Sequence, residues 1–138
     1  MPDELGKTIR LSRLFHERSG RFLGITMDHT IPHGLLPGLE RIQEVLGKVV
    51  AGKPEAVTLQ KGIAEKCFAP FANRVALVVK CTSYSPYHKT KDAPVAEVEE
   101  AVRLGATAAA IGCIVCGNFQ DQQLEQAGRF VRDAKRFG

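Results

Sequence analysis

Residues Arg21 to Gly38 read RFLGITMDHTIPHGLLPG, and this stretch decides the fold. An apolar run, Phe22 to Met27, stops at Asp28-His29, and a loop with Pro32, Gly34, Pro37 and Gly38 leads into a helix-period segment. In α/β folds, reactive groups collect where a buried parallel strand ends and its βα loop begins. A carboxylate and an imidazole at such a point read as site residues. His33, four residues on, adds to that reading, because Asp is depleted in strands and is there for a reason. The plainer alternative is that Asp28 caps the loop by accepting backbone N–H bonds.

The same alternation repeats outward from this stretch. Apolar, partly β-branched runs occur at 22–27, 56–59, 75–81 and 108–116, each followed by a loop and a helical pattern. Leu39, Ile42, Val45, Leu46 and Val49 lie on one face of a helix spanning Pro37 to Val50. Gly62 to Phe71 predicts a shorter helix, and Val95 to Val102 a third, ended by Gly105 as its C-cap. Asp121 to Phe137 predicts a fourth, with Gly138 at its C-cap, and Ile9 to Phe15 a short helix under the sheet. The strands lack polar alternation, which predicts parallel strands buried on both faces. Four sequential βα units are half of an eight-stranded barrel, with strands one and four left as unpaired edges. Pairing with a copy of itself or with a complementary half is therefore expected.

At 138 residues the length prior gives a single domain, 1–138, and 44% apolar and 25% charged residues are ordinary for a globular chain. No apolar run nears the ~20 residues that span a bilayer, so no membrane association is expected. The N-terminus, MPDELGKTIR, lacks an apolar h-region, which predicts a cytoplasmic protein. Net charge is +4, and the basic group at Arg129, Arg132, Lys135 and Arg136 has few aromatics among it, so a solvated helix face is expected and no nucleic acid. The positive balance suits an anionic small molecule. Cys113-Ile-Val-Cys116 sits in the fourth apolar run. As a strand it would point its two thiols to opposite faces, so all four cysteines are expected to be reduced, buried small hydrophobes. No metal site follows from it. A Gly-x-Ser-x-Gly elbow and nucleotide phosphate fingerprints are both lacking.

MDHTIPHG followed by PGLE resembles the strand-one motif of the archaeal-type class I fructose-bisphosphate aldolases. It also resembles that of their relatives, the 2-amino-3,7-dideoxy-D-threo-hept-6-ulosonate synthases. Three further stretches agree in order. AVTLQKG at 56–62 is similar to strand two with its Lys-Gly turn, TSYSP at 82–86 to the polar loop after strand three, and VEEAVRLGA at 98–106 to the helix before strand four. The resemblance runs from about residue 6 and spans the N-terminal half of the family's length. Thr30 departs from the usual glycine, and Gly117-Asn118-Phe119 from a common Gly-Ser-Glu-like loop.

This resemblance implies a (β/α)8 TIM barrel of which the chain carries about four βα units, a half-barrel. It also implies a class I, Schiff-base aldolase acting on phosphorylated sugars or related ketones, with no cofactor expected. Asp28 maps onto the aspartate that assists proton transfer, and His29 onto the histidine next to it. The family's Schiff-base lysine belongs to strand six and its assisting tyrosine to strand five, so a chain cut before them is expected to have little activity alone. Lys80, at the end of the third strand, is a catalytic candidate either as a desolvated amine or as a charged partner of Asp28. His33, Lys61 and Ser83 are expected to face the substrate. Two alternatives stand beside this reading. One is a non-catalytic half-barrel that oligomerises; the other is a metal-assisted lyase holding zinc with Asp28, His29 and His33.

Overall fold

β-Branched and aliphatic residues build the sheet, and the computed structural model, which describes residues 3–138, pairs them in parallel. The strands are β1 (Gly24–Thr26), β2 (Ala56–Gln60), β3 (Ala76–Lys80) and β6 (Ala108–Ala110), in the order β1-β2-β3-β6. Between the third and fourth parallel strands lies a separate antiparallel pair, β4 (Thr82–Ser85) and β5 (His88–Pro94). The helices are α1 (Asp3–Ser12), α2 (Thr30–His33), α3 (Ile42–Ala51), α4 (Lys61–Cys67), α5 (Val98–Arg103) and α6 (Gln120–Phe137), with one 3-10 turn at Ala69–Phe71.

Register divides the sheet into two faces. Val57, Leu59, Leu77 and Val79 pack with Leu46 and Val50 of α3 and with Phe68 and Phe71, forming the core. Thr26, Thr58, Val78 and Ala108 are register partners one residue out of step, so their side chains share the opposite face. Burial on both faces, expected for all four strands, holds for the central pair, where Ala56 and Val78 are covered as well. It fails at the edges: β1 is half-buried at Gly24 and Ile25 and exposed at Thr26, and β6 is half-buried throughout, because each has a neighbour on one side only.

Local chemistry sets the helix ends. The expected start of α3 at Pro37 moves to Ile42, since Gly38 takes a φ of 89° and its N–H donates to the Glu40 carboxylate in a turn. The second predicted helix divides at Phe68 into α4 and the 3-10 turn, with Pro70 inside that turn. α5 starts at Val98, where the Glu97 N–H donates to Glu100 Oε2 at 2.8 Å. Gly105 (φ 75°) ends it in a Schellman motif: its N–H reaches Val102 O and that of Ala106 reaches Ala101 O. α1 lies three to six residues earlier than expected and packs on α6, with Arg10 Nη1 donating to Gly138 O at 3.2 Å.

The strand expected over 108–116 ends at Ala110. Beyond it the backbone turns to the β4–β5 hairpin, where the Gly112 N–H donates to Thr82 Oγ1 at 2.7 Å. Cys113 and Cys116 therefore lie outside any strand and are exposed, and Cys116 has a φ of 62°. Their expected burial is corrected: β3 ends at Lys80, the register partner of Ala110, so the chain beyond Ala110 has no strand to pair with. Cys81 is buried and Cys67 half-buried, and all four thiols are free.

Candidate active site

Polar groups gather at the C-terminal end of the parallel strands. Met27 N–H still bonds to Thr58 O at 2.8 Å, so the chain leaves the sheet at Asp28, which is half-buried. Among the described residues the Asp28 carboxylate enters no ion pair. The Asp28 main-chain oxygen accepts from Gln60 Nε2 at 3.4 Å. His29 leads into α2, a single turn stopped by Gly34 with a φ of 71°. His33 Nε2 and the Tyr84 hydroxyl share a hydrogen bond of 2.8 Å, which ties the loop after β1 to the hairpin. The His29 and His33 rings stand 6.2 Å apart.

Lys80 occupies the matching position on β3. It pairs in register with Gln60 on one side and Ala110 on the other. Its ammonium lies 3.8 Å from Asp92 Oδ2, with the two side chains only 19% and 6% exposed. The partner expected from the sequence, Asp28, is thus replaced by Asp92, because the hairpin folds β5 over the end of β3. Asp92 is itself held firmly. Thr82 Oγ1 donates to Oδ2 at 2.8 Å, the Asp92 N–H donates to Gln123 Oε1, and its carbonyl accepts from Gln123 and Gln126 of α6. Gly112 is required at this point: a Cβ there would sit 1.7 Å from Asp92 Oδ2.

The remaining expected residues are placed differently. Lys61 Nζ donates to Glu100 Oε1 at 2.6 Å, so its ammonium is turned to the start of α5. That bond, with the Glu97 amide second, holds the Glu100 carboxyl below its ordinary range. Ser83 is buried in β4 and its hydroxyl makes a long contact, 3.4 Å, with Tyr84 O. The metal-assisted alternative is corrected: among the described residues no three His, Cys, Asp or Glu side chains are grouped to hold an ion. Cys81, next to Lys80, is no nucleophile; burial, and then the Glu100 charge, push its thiol up to about 11. Two cavities lie away from this end. One of about 1100 Å³ is lined by Pro54, Val75 and Thr107 at the N-terminal strand ends, and one of about 750 Å³ sits between α1, α5 and α6.

Two polar residues of this end escape a reading of the sequence. Gln60 closes an otherwise apolar run and looks like the tail of a strand, although an amide at a strand's last position is itself a signal. Asp92 lies in HKTKDAP, which has no apolar period, and only the hairpin reveals its burial.

A sheet of sequential parallel strands, layered with helices on one face and polar at its C-terminal end, is the architecture of the TIM-barrel family, here as about four βα units. The chain belongs to the DeoC/LacD family of aldolases, whose sequence profile matches residues 22–138. It is 32% identical to the 2-amino-3,7-dideoxy-D-threo-hept-6-ulosonate synthase of Halobacterium salinarum, over 98% of this chain and 51% of that protein. With the class 1 fructose-bisphosphate aldolase of Thermoproteus tenax it shares 29% identity, over 94% of this chain and 51% of the other. Among solved structures, a Schiff-base-forming fructose-1,6-bisphosphate aldolase superposes with a TM-score of 0.79 at 28% identity, covering 95% of this chain and 54% of that one. The chain spans about half the length of the curated relatives it matches. Among the described residues no helix is long and apolar enough to cross a membrane.

Proposed function

We propose that this chain supplies the proton-transfer and substrate-holding half of a class I aldolase site for phosphorylated sugars or related ketones. The observation that carries the reading is the position of Asp28, immediately past β1 at the polar end of the sheet and tied to Gln60. Aldol cleavage through an iminium needs an amine nucleophile and a group that moves protons at the reacting carbon. Asp28 serves as that acid/base and His29 lines the site. His33, braced by Tyr84, faces the substrate from the loop side. Lys80 acts as the partner of Asp92, whose carboxylate its Nζ faces, and is assigned no nucleophilic role. The nucleophilic lysine comes from the other half of the barrel, as the resemblance implies.

Treatment with dihydroxyacetone phosphate and borohydride tests this division of labour by intact mass. The chain alone is expected to give no adduct. Mixed with a polypeptide carrying strands five to eight of the Thermoproteus tenax aldolase, it is expected to support an adduct on that polypeptide's lysine. Asp28→Asn should then lower turnover by about 10²–10⁴-fold. An adduct on Lys80 or Lys61 in the chain alone would sink the assignment.

A second reading, assembly of two copies into an eight-stranded barrel, is favoured by where large apolar side chains are exposed. Phe22 and Leu23 lead directly into β1 and are exposed, as are Val115, in the segment after β6, and Leu124 and Val131 on α6, so apolar surface is left uncovered in the parts of the chain next to both edge strands. Parallel edges left bare invite pairing. Sedimentation at micromolar concentration is expected to show a dimer that Phe22→Asp with Leu124→Asp converts to monomer. A monomeric wild-type chain counts against this assembly.

A further inference from the structure

Two buried side-chain atoms stand without a protein hydrogen-bond partner among the described residues, Gln60 Oε1 and Asp92 Oδ1. Both adjoin Lys80: Gln60 is its register neighbour on β2, and Asp92 is its ion-pair partner from β5. Gln60 and Asp92 are 5% and 4% exposed. Leaving a buried polar atom unpaired costs about 1–3 kcal/mol. Two such atoms beside one lysine, at the end of the sheet where α/β folds bind ligands, form a pattern that packing alone does not explain.

The chemistry of the three groups defines what would satisfy them. Oε1 of an amide and Oδ1 of a carboxylate accept hydrogen bonds, while an ammonium donates three. A ligand matching them carries hydroxyl hydrogens for the two oxygens and an oxygen lone pair for Lys80. One atom of each acceptor side chain is already engaged. Gln60 Nε2 is committed to Asp28 O, and Asp92 Oδ2 is committed to Thr82 and Lys80. The free oxygen of each side chain is therefore the one left over after its partner atom is used. Gly112 leaves the space that the Asp92 carboxylate occupies. Lys80 meets the pair through Asp92 Oδ2, and its flexible four-carbon stem lets the ammonium turn toward a ligand.

We propose that Gln60, Lys80 and Asp92 form a hydroxyl-reading subsite for a polyhydroxylated carbon chain. Gln60 Oε1 and Asp92 Oδ1 each accept a ligand hydroxyl, and Lys80 Nζ donates to a ligand oxygen. The subsite rests on the reading that substrate binds at the C-terminal end of the sheet. It adds the residues that tell a hydroxylated chain from a bare one, Gln60 and Asp92, which touch the ligand without moving protons at the reacting carbon.

Glycerol 3-phosphate and n-propyl phosphate share a phosphate and a three-carbon chain and differ by two hydroxyls. Each is titrated into the 15N-labelled chain and followed by amide shifts. The wild type is expected to prefer glycerol 3-phosphate by at least about tenfold, with shifts at Gln60, Lys80, Asp92 and Gly112. Gln60→Met keeps the side chain's shape without its oxygen. It should lower that preference about fivefold. Asp92→Asn should lower it as well, and if that variant fails to fold, Gln60→Met decides alone. Equal binding of both probes with shifts at these amides, or an undiminished preference in Gln60→Met, overturns the subsite while leaving the substrate-site reading intact. Shifts confined to another surface overturn both. Absence of saturable binding by either probe overturns the subsite, and the borohydride experiment then judges the site reading separately.

Discussion

The central strands β2 and β3 and the edge strands β1 and β6 are built from similar residues but sit in different surroundings. Each central strand runs five residues and is buried almost throughout, with Val57, Leu59 and Val79 fully covered. Each edge strand runs three residues and is at most half-buried, and uncovered apolar side chains lie in the parts of the chain next to it. The half-barrel is thus complete at its middle and open at its sides. The best-covered side chains lie in the first region, and the proposed association would use the second. The candidate site straddles both, since Gln60 and Lys80 end central strands while Asp28 follows an edge strand.

That contrast can be broken most directly at the core. Leu59→Ala should cost about 2–5 kcal/mol in urea unfolding, because it empties a fully enclosed position. Thr26→Ala on β1 should stay within about 0.5 kcal/mol. Comparable losses at the two sites would mean that the edge is as well supported as the middle. A smaller effect is expected where hairpin meets sheet. Gly112→Ala places a methyl group against Asp92 and should destabilise by about 1–3 kcal/mol, measured in the same way. A neutral result would show that the carboxylate is free to move aside and that β6 is loosely tied to the hairpin.

The gentlest probe uses the thiols. Cys113 and Cys116, beyond the edge strand, should react quickly with a disulfide reagent at pH 8, and Cys81, beside the central strands, only on unfolding. The sign of the pH effect follows from the raised Cys81 value. Below pH 9 the thiol is protonated in both the folded and the unfolded chain, and its contribution is fully present. Between pH 9 and about 11 the unfolded chain has released the proton and the folded chain retains it, so stability drains as pH rises. Cys81→Ala should flatten that part of the stability curve, and an unchanged slope would remove Cys81 as its cause.

Much of this molecule was legible in its residues. The four parallel strands, their sequential order, the Gly105 cap and the placement of Asp28 past the first strand all follow from apolar periodicity and turn chemistry. The hairpin at 82–94 did not, since its residues are polar on both sides of the pleat and give no period-two signal. Its β-branched Thr82 and Thr90 and the aromatic Tyr84 were the available hints. The length of β6 is hidden in the sequence for the opposite reason. Ala108 to Cys116 is apolar throughout, but a strand needs a hydrogen-bonding neighbour, and β3 ends opposite Ala110.

The candidate site divides along the same line. By itself the sequence determined which elements exist and which groups stand at strand ends, namely Asp28, His29 and Lys80, because spacing along the chain places them there. Tertiary structure alone decided their partners. Lys80 faces Asp92, His33 meets Tyr84 across 51 positions, Lys61 turns to Glu100, and Gln60 and Asp92 become buried acceptors. Which charge meets which, and which oxygen is left unpaired, depends on how the hairpin and α6 fold over the end of the sheet. Those are long-range contacts that no local period encodes.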